Sequence, residues 1–278
     1  VIGEFPYSRL THVQSSTIFG GMENSTAIFY DENAYRRHRL SESTVAHETA
    51  HQWFGDAVTE RDWPHLWLSE GFATYFAALW DGHAGGDSAF EATMKLAASS
   101  VFNSNTSNGP VVDSAASLLD LLNTNNYQKG SWVLHSLRGL IGDSTFFAGI
   151  RKYYRDFRDS TVLSEDFQRE MEEASGSDLG WYFTQALHQP GFPKLEIATH
   201  YDSAGKALQL TIRQTQAEGW GVYRLPGFEI LIDDLLVRVD IDDKESHFSF
   251  DQFSAPPRSI VPDPNGWWLS HNSVTSDR

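Results

Sequence analysis

The run His47-Glu48-Thr49-Ala50-His51, followed after eighteen residues by Glu70, constrains this chain more than any other feature. On a helix, positions i and i+4 share a face, so both imidazoles can reach one cation while Glu48 faces whatever that cation activates. Two His and one Glu make the three-ligand set of a catalytic zinc, whereas structural zinc sites usually close the tetrahedron with four ligands rich in Cys. This chain has no Cys. A water in the open fourth position would have its pKa brought to about 7, and Glu48 is placed to take its proton as it attacks a carbonyl. The implied reaction is metal-assisted hydrolysis.

Other classes of function fit the chain less well. Its 278 residues carry 21 basic and 37 acidic side chains, a net charge of -16, which argues against nucleic acid or an anionic membrane as partner. No apolar run approaches the eighteen residues that a membrane span needs, and no basic-then-apolar leader is visible, so a soluble protein is expected. The absence of Cys fits a reducing or an oxidising compartment equally.

Hydropathy patterning divides the chain. Residues 1 to 32 mix β-prone pieces, such as Thr26 to Tyr30, with Gly-containing turns. Spacing near 3.6 predicts helices near 43–54, 69–81, 86–101, 114–123, 128–141, 143–156, 164–175 and 178–187. The stretch Asn103 to Pro110 reads as a loop and a candidate rim of the cleft. After Gln189-Pro190-Gly191-Phe192-Pro193 the pattern turns strand-like, at 195–200, 207–214, 228–232, 235–241 and 248–250, as expected of a small antiparallel β-sandwich. The aromatics Trp63, Trp67, Phe72, Tyr75, Phe76 and Trp80 have the spacing of a core around the Glu70 helix. His12, His38, His65, His83, His135, His188, His200 and His247 have no ligand spacing and are expected to be structural or exposed.

The surroundings of the motif extend beyond zinc ligation. His47-Glu48-Thr49-Ala50-His51-Gln52-Trp53-Phe54-Gly55-Asp56, then Trp63 through Tyr75, resembles the active-site helix pair of the aminopeptidase N family of gluzincin metallopeptidases. The same family is marked by Gly-x-Met-Glu-Asn, here Gly20-Gly21-Met22-Glu23-Asn24, and by Tyr-x-Lys-Gly, here Tyr127-Gln128-Lys129-Gly130. The resemblance implies an α+β protein. A thermolysin-like, mainly helical catalytic domain with a small β-sheet at its start would cover residues 1–190, and the β-sandwich domain would cover 191–278.

It also implies roles: His47, His51 and Glu70 as ligands of one Zn2+ per chain, Glu48 as general base and Tyr127 as donor to the oxyanion. Glu23 would bind the free α-amino group of a peptide substrate, with Gly20, Gly21, Met22 and Asn24 completing that substrate-binding segment. A carboxylate near the scissile bond pairs with an N-terminal ammonium and so turns a general peptidase into an exopeptidase. Read without their neighbours, Glu23 is a surface carboxylate and Tyr127 one of ten tyrosines that serve packing or the surface.

The expected function is zinc-dependent removal of N-terminal residues from peptides. A zinc endopeptidase, another zinc hydrolase such as an epoxide hydrolase, and a non-catalytic zinc-containing binding module are the alternatives. Gly21 stands where Ala is commoner in the family, and loss of one methyl is expected to alter subsite shape only slightly. Relatives normally carry a large β-rich domain before the first motif and often a helical domain at the end. With Val1 in place of an initiator Met, the sequence reads as an internal fragment or a processed product of a longer parent chain. Localisation stays open, with a cytoplasmic or an exported bacterial enzyme both compatible.

Overall fold

A computed structural model describes residues 2–276. By its internal contacts the chain forms two units, Val1–His188 and Gln189–Arg278. In the first, β1 (Thr11–Ser15), β2 (Gly21–Met22) and β3 (Ala27–Asp31) make a sheet in the order β1-β3-β2. β1 runs parallel to β3, and the two-residue β2 pairs antiparallel with Phe29 and Tyr30 as an edge strand. Gly21 and Met22 therefore keep one side of their backbone free of sheet partners.

Helices follow: α1 (Glu32–Arg36) and α2 (Glu42–Ala50), then the short strand β4 (Val58–Glu60), α3 (Trp67–Gly85), α4 (Asp87–Phe102), α5 (Leu118–Leu121), α6 (Gly130–Ile141) and α7 (Asp143–Phe157). After β5 (Ser160–Val162), which pairs in parallel with β4, come α8 (Ser164–Ser175) and α9 (Gly180–Phe183). The three-residue β4–β5 pair is too short to leave a periodic trace in sequence.

α2 stops at Ala50 rather than running to residue 54, because the chain folds back there. The Gly55 amide donates to the Val58 carbonyl at 2.8 Å, and Gly55 has φ +122. A side chain would be strained at that φ, and its Cβ would also lie 2.5 Å from Ser69 Oγ. The helix expected at 114–123 contracts to four residues, and the one expected at 178–187 becomes α9 followed by a π-type turn at Thr184–His188. The 103–110 loop contains one 3₁₀ turn, Asn105–Asn108, and Asn125 Nδ2 donates to the carbonyls of Thr106, Gly109 and Pro110 at 2.8 to 3.1 Å.

Trp67, Phe72 and Tyr75 are fully buried, whereas Trp63 and Trp80 are 54% and 44% exposed and are not core. Phe54, Phe72, Tyr153 and Phe167 stack and edge into one another at centroid distances of 4.6 to 6.2 Å. Burying each such ring is worth about 1.5–3 kcal/mol, so the cluster forms a firm floor under the start of α3. Trp67 Nε1 donates to Ser164 Oγ at 2.8 Å, tying that start to α8.

The second unit holds β6 (Lys194–Asp202), β7 (Ala207–Gln214), β8 (Leu225–Ile232), β9 (Leu235–Ile241), β10 (Glu245–Phe250), β11 (Ile260–Pro262) and β12 (His271–Ser276). One sheet runs β10-β7-β6-β12 and the other β11-β8-β9. Alternate residues of both, among them Ile197, Leu210, Ile212, Phe228, Ile230 and Val239, fill a single core. The first sheet is mixed rather than wholly antiparallel, because β12 pairs with β6 in parallel. No described helix is long and apolar enough to cross a membrane.

Candidate active site

α2 is preceded by Ser41, whose hydroxyl accepts from the Thr44 amide at 3.1 Å and caps the free end of the helix. It presents His47, Glu48 and, one residue past its end, His51 toward Glu70 in the first turn of α3. His47 Nε2 and His51 Nε2 lie 3.1 Å apart, and Glu70 Oε2 lies 3.2 Å from the first and 3.3 Å from the second. A tetrahedral ion with bonds of about 2.0–2.1 Å holds its ligands roughly 3.3–3.4 Å apart, so the three atoms already form one face of such a polyhedron.

The donor set is also oriented correctly. His51 Nδ1 is 3.1 Å from the Phe54 carbonyl, which can only accept, so that nitrogen carries a proton and Nε2 is the atom that would ligate once a cation takes the place of its proton. Burial alone would raise the Glu70 carboxyl, but hydrogen bonds from His47 and His51 hold it far below the usual range. Burial likewise pulls His51 down, yet the Glu70 carboxylate outweighs it and pushes the imidazole up to about 10. At His47 burial wins instead and lowers the imidazole, which favours the neutral form that a metal ligand needs, and the three donor atoms fit one divalent cation.

Glu48 is 6% exposed. Burial pushes its carboxyl up to about 7, opposed by His51 and reinforced by Glu23 and Glu70. Oxygens of Glu23 and Glu48 and a ring nitrogen of His51 all lie within 4.8 Å of one another. Tyr127 sits on the π-type turn Asn125–Lys129 that runs into α6, and its hydroxyl donates to Glu70 Oε1 at 2.8 Å while its ring stacks on His47. Burial, and then Glu70, raise this phenol well above its ordinary value, so it is a donor and not a phenolate. The turn approaches α3 through a glycine pair: a Cβ on Gly71 would lie 2.9 Å from Gly130 Cα. Larger residues there would pry Tyr127 from Glu70.

A cavity of about 450 Å³ opens over this cluster. His47, Glu48, His51, Glu70, Tyr127, Gly20, Gly21, Met22 and Glu23 all line it, so the three separated motifs converge on one space. Asn24 does not: its carbonyl accepts from the Ala27 amide and closes the turn instead. None of residues 103–110 lines it either, and the nearer apolar edges are Phe19 and Leu122. Gly21 is closer to the chemistry than its missing methyl suggested. A Cβ there would lie 2.2 to 2.5 Å from Oε1, Cδ and Cγ of Glu48.

Sequence reasoning assigned nothing to Gln52, which is fully buried and bonded to both ends of the Glu23–Thr26 turn. Its one signal is a polar amide on the residue next to a ligand. Among the other histidines, His65 Nδ1 accepts from the Ser164 amide and His135 packs on Tyr75 and Trp132, both structural settings.

The fold and site thus define a mainly helical scaffold whose cleft holds a His/Glu triangle able to bind a metal ion. Residues 2–185 match the family model described as the peptidase family M1 domain, and the chain belongs to that family. It is 29% identical over 252 residues to "probable aminopeptidase 1" of Sulfurisphaera tokodaii, covering 82% of this chain and 32% of that one. With aminopeptidase N of Streptomyces lividans it shares 30% identity over 211 residues, 70% of this chain and 24% of the other. The crystal structure of Legionella pneumophila aminopeptidase A in complex with aspartic acid shares the fold, with TM-score 0.75 at 21% identity over 94% of this chain and 31% of that one. The chain therefore spans about a third or less of the length of these relatives.

Proposed function

We propose that this chain carries the catalytic centre of a zinc aminopeptidase, with His47, His51 and Glu70 holding one Zn2+. The observation that carries the reading is the convergence of a three-donor triangle, Glu48 and Glu23 in one cavity. A bound zinc supplies a Lewis acid that polarises a carbonyl and lowers the pKa of water to about 7. Glu48 accepts a proton from the attacking water and passes it to the amine that leaves as the C–N bond breaks. Tyr127 turns its hydroxyl from Glu70 to the substrate oxygen on which negative charge develops. Glu23, with Glu48 beside it, gives the site negative charge for an N-terminal ammonium, and the free edge of β2 offers backbone groups to an extended peptide. Membership in the family and the names of the relatives support the same reading.

The test is hydrolysis of one Leu-initiated peptide, free and N-acetylated, by the zinc-loaded chain, with Glu48→Gln as blank. Cleavage of the free peptide alone is expected. Equal cleavage of both overturns the exopeptidase assignment in favour of an endopeptidase. Cleavage of neither by a zinc-loaded chain would leave a non-catalytic zinc module, or make segments outside this chain part of the site.

A further inference from the structure

The structure assigns to Gln52 a positioning role: we propose that its buried amide clamps the Glu23–Thr26 turn and thereby sets where the α-ammonium of a peptide is held. Every face of that amide is used. Nε2 donates to the Glu23 carbonyl and to Asp56 Oδ2, both at 2.8 Å, and Oε1 accepts from the Thr26 amide at 2.9 Å. Gln52 thus bridges the first and last residues of the turn between β2 and β3. The turn needs the restraint, because Thr26 holds φ +69, a left-handed conformation that a β-branched residue adopts only under compulsion.

The chemistry follows from placement. Gln52 is the residue after His51, in the turn that leaves α2, so the segment that carries a proposed ligand also holds the Glu23–Thr26 turn through two hydrogen bonds. The distance from the amine anchor to the ligand triangle decides which bond is cut, and an error of about 1 Å in such a distance can cost roughly 100-fold. Glutamine is the side chain that fits: it supplies two donors and an acceptor at the right reach. Glu would set an oxygen against the Glu23 carbonyl and Asp56, and Asn is one methylene short. This role rests on the aminopeptidase reading above.

Gln52→Met keeps the volume and removes all three bonds. In the zinc-loaded full chain, the expected result is a KM for the free Leu-initiated peptide raised about 10-fold or more, with a smaller change in kcat. The preference for free over N-acetylated peptide should fall by a similar factor, at unchanged zinc content. Amide hydrogen exchange at Thr26 should accelerate by at least about 10-fold, since its acceptor is gone. Gln52→Leu, which likewise removes all three bonds, should show both effects and stands in if Gln52→Met does not fold. An active Gln52→Met variant with wild-type preference and wild-type Thr26 exchange overturns the clamp. Wild-type chain that cleaves neither peptide counts against the catalytic reading of this chain and not against the clamp, which Thr26 exchange in Gln52→Met then decides: wild-type exchange overturns it.

Discussion

The two ends of the cleft are built by different means. At one end His47, Glu48, His51 and Glu70 stand on or just past helices α2 and α3, whose packing rests on an aromatic floor. At the other, Glu23 stands on a four-residue turn beside a two-residue edge strand, and its carbonyl accepts a hydrogen bond from Gln52 Nε2. Helical spacing sets the two imidazoles, and the packing of α2 on α3 brings Glu70 to them. An anchor that measures a peptide from its end needs a segment projecting into the cleft, which a turn supplies and a helix face does not.

Breaking the helical end should have the largest effect. Stripping the metal with a chelator, or Glu70→Gln, should abolish turnover. Where zinc is present at about 1,000 times its dissociation constant, its removal should also cost about 4 kcal/mol of stability, seen as a fall in the thermal midpoint. Glu48→Gln should leave zinc content and the midpoint unchanged while lowering kcat roughly 10²–10⁴-fold. Tyr127→Phe should follow with a loss of about 10²–10³ in kcat, again at full zinc occupancy. If Tyr127→Phe instead raised only KM, the phenol would be a binding group and not an oxyanion donor.

The pH profile sharpens the same end. Burial raises Glu48 to about 7, so its protonated form dominates below that value and the ionised base above it. A nearby divalent cation favours the ionised form, so kcat/KM should climb along a one-proton limb between about pH 5 and 7 and level off above. A profile flat down to pH 5 would remove Glu48 as the titrating base.

The contrast between the ends also explains what could be read from sequence. The proposed ligand set is legible because His47 and His51 stand four residues apart at the end of α2 and Glu70 follows at a fixed later position in the first turn of α3, and β7 is legible because Leu208, Leu210 and Ile212 alternate. By contrast, β12 is His271-Asn272-Ser273-Val274-Thr275-Ser276, a polar run whose strand state comes from pairing with β6. The exposure of Trp63 and Trp80 escapes periodicity because spacing says which residues share a face and not what covers that face. Gln52 was missed for a related reason: its three partners are a carbonyl, an amide and a carboxylate, set by tertiary folding and not by any pattern in the chain.

The smallest expected effect lies where the two ends touch. Gly21, on the edge strand, leaves the space into which the Glu48 side chain leans, and a methyl there would meet Cγ, Cδ and Oε1 at 2.5, 2.3 and 2.2 Å. Backbone on one side and the α2 helix on the other leave the carboxylate to move. Rotating Glu48 off its rest position costs about 0.5–1.5 kcal/mol, so Gly21→Ala should lower kcat by about 2- to 10-fold with zinc content unchanged. Glu48→Asp withdraws the carboxylate by one methylene, so in that background Gly21→Ala should cost less than it does alone. Additive losses in the double variant would mean that the methyl acts on the substrate and not on Glu48, returning Gly21 to the modest subsite role that sequence alone suggests.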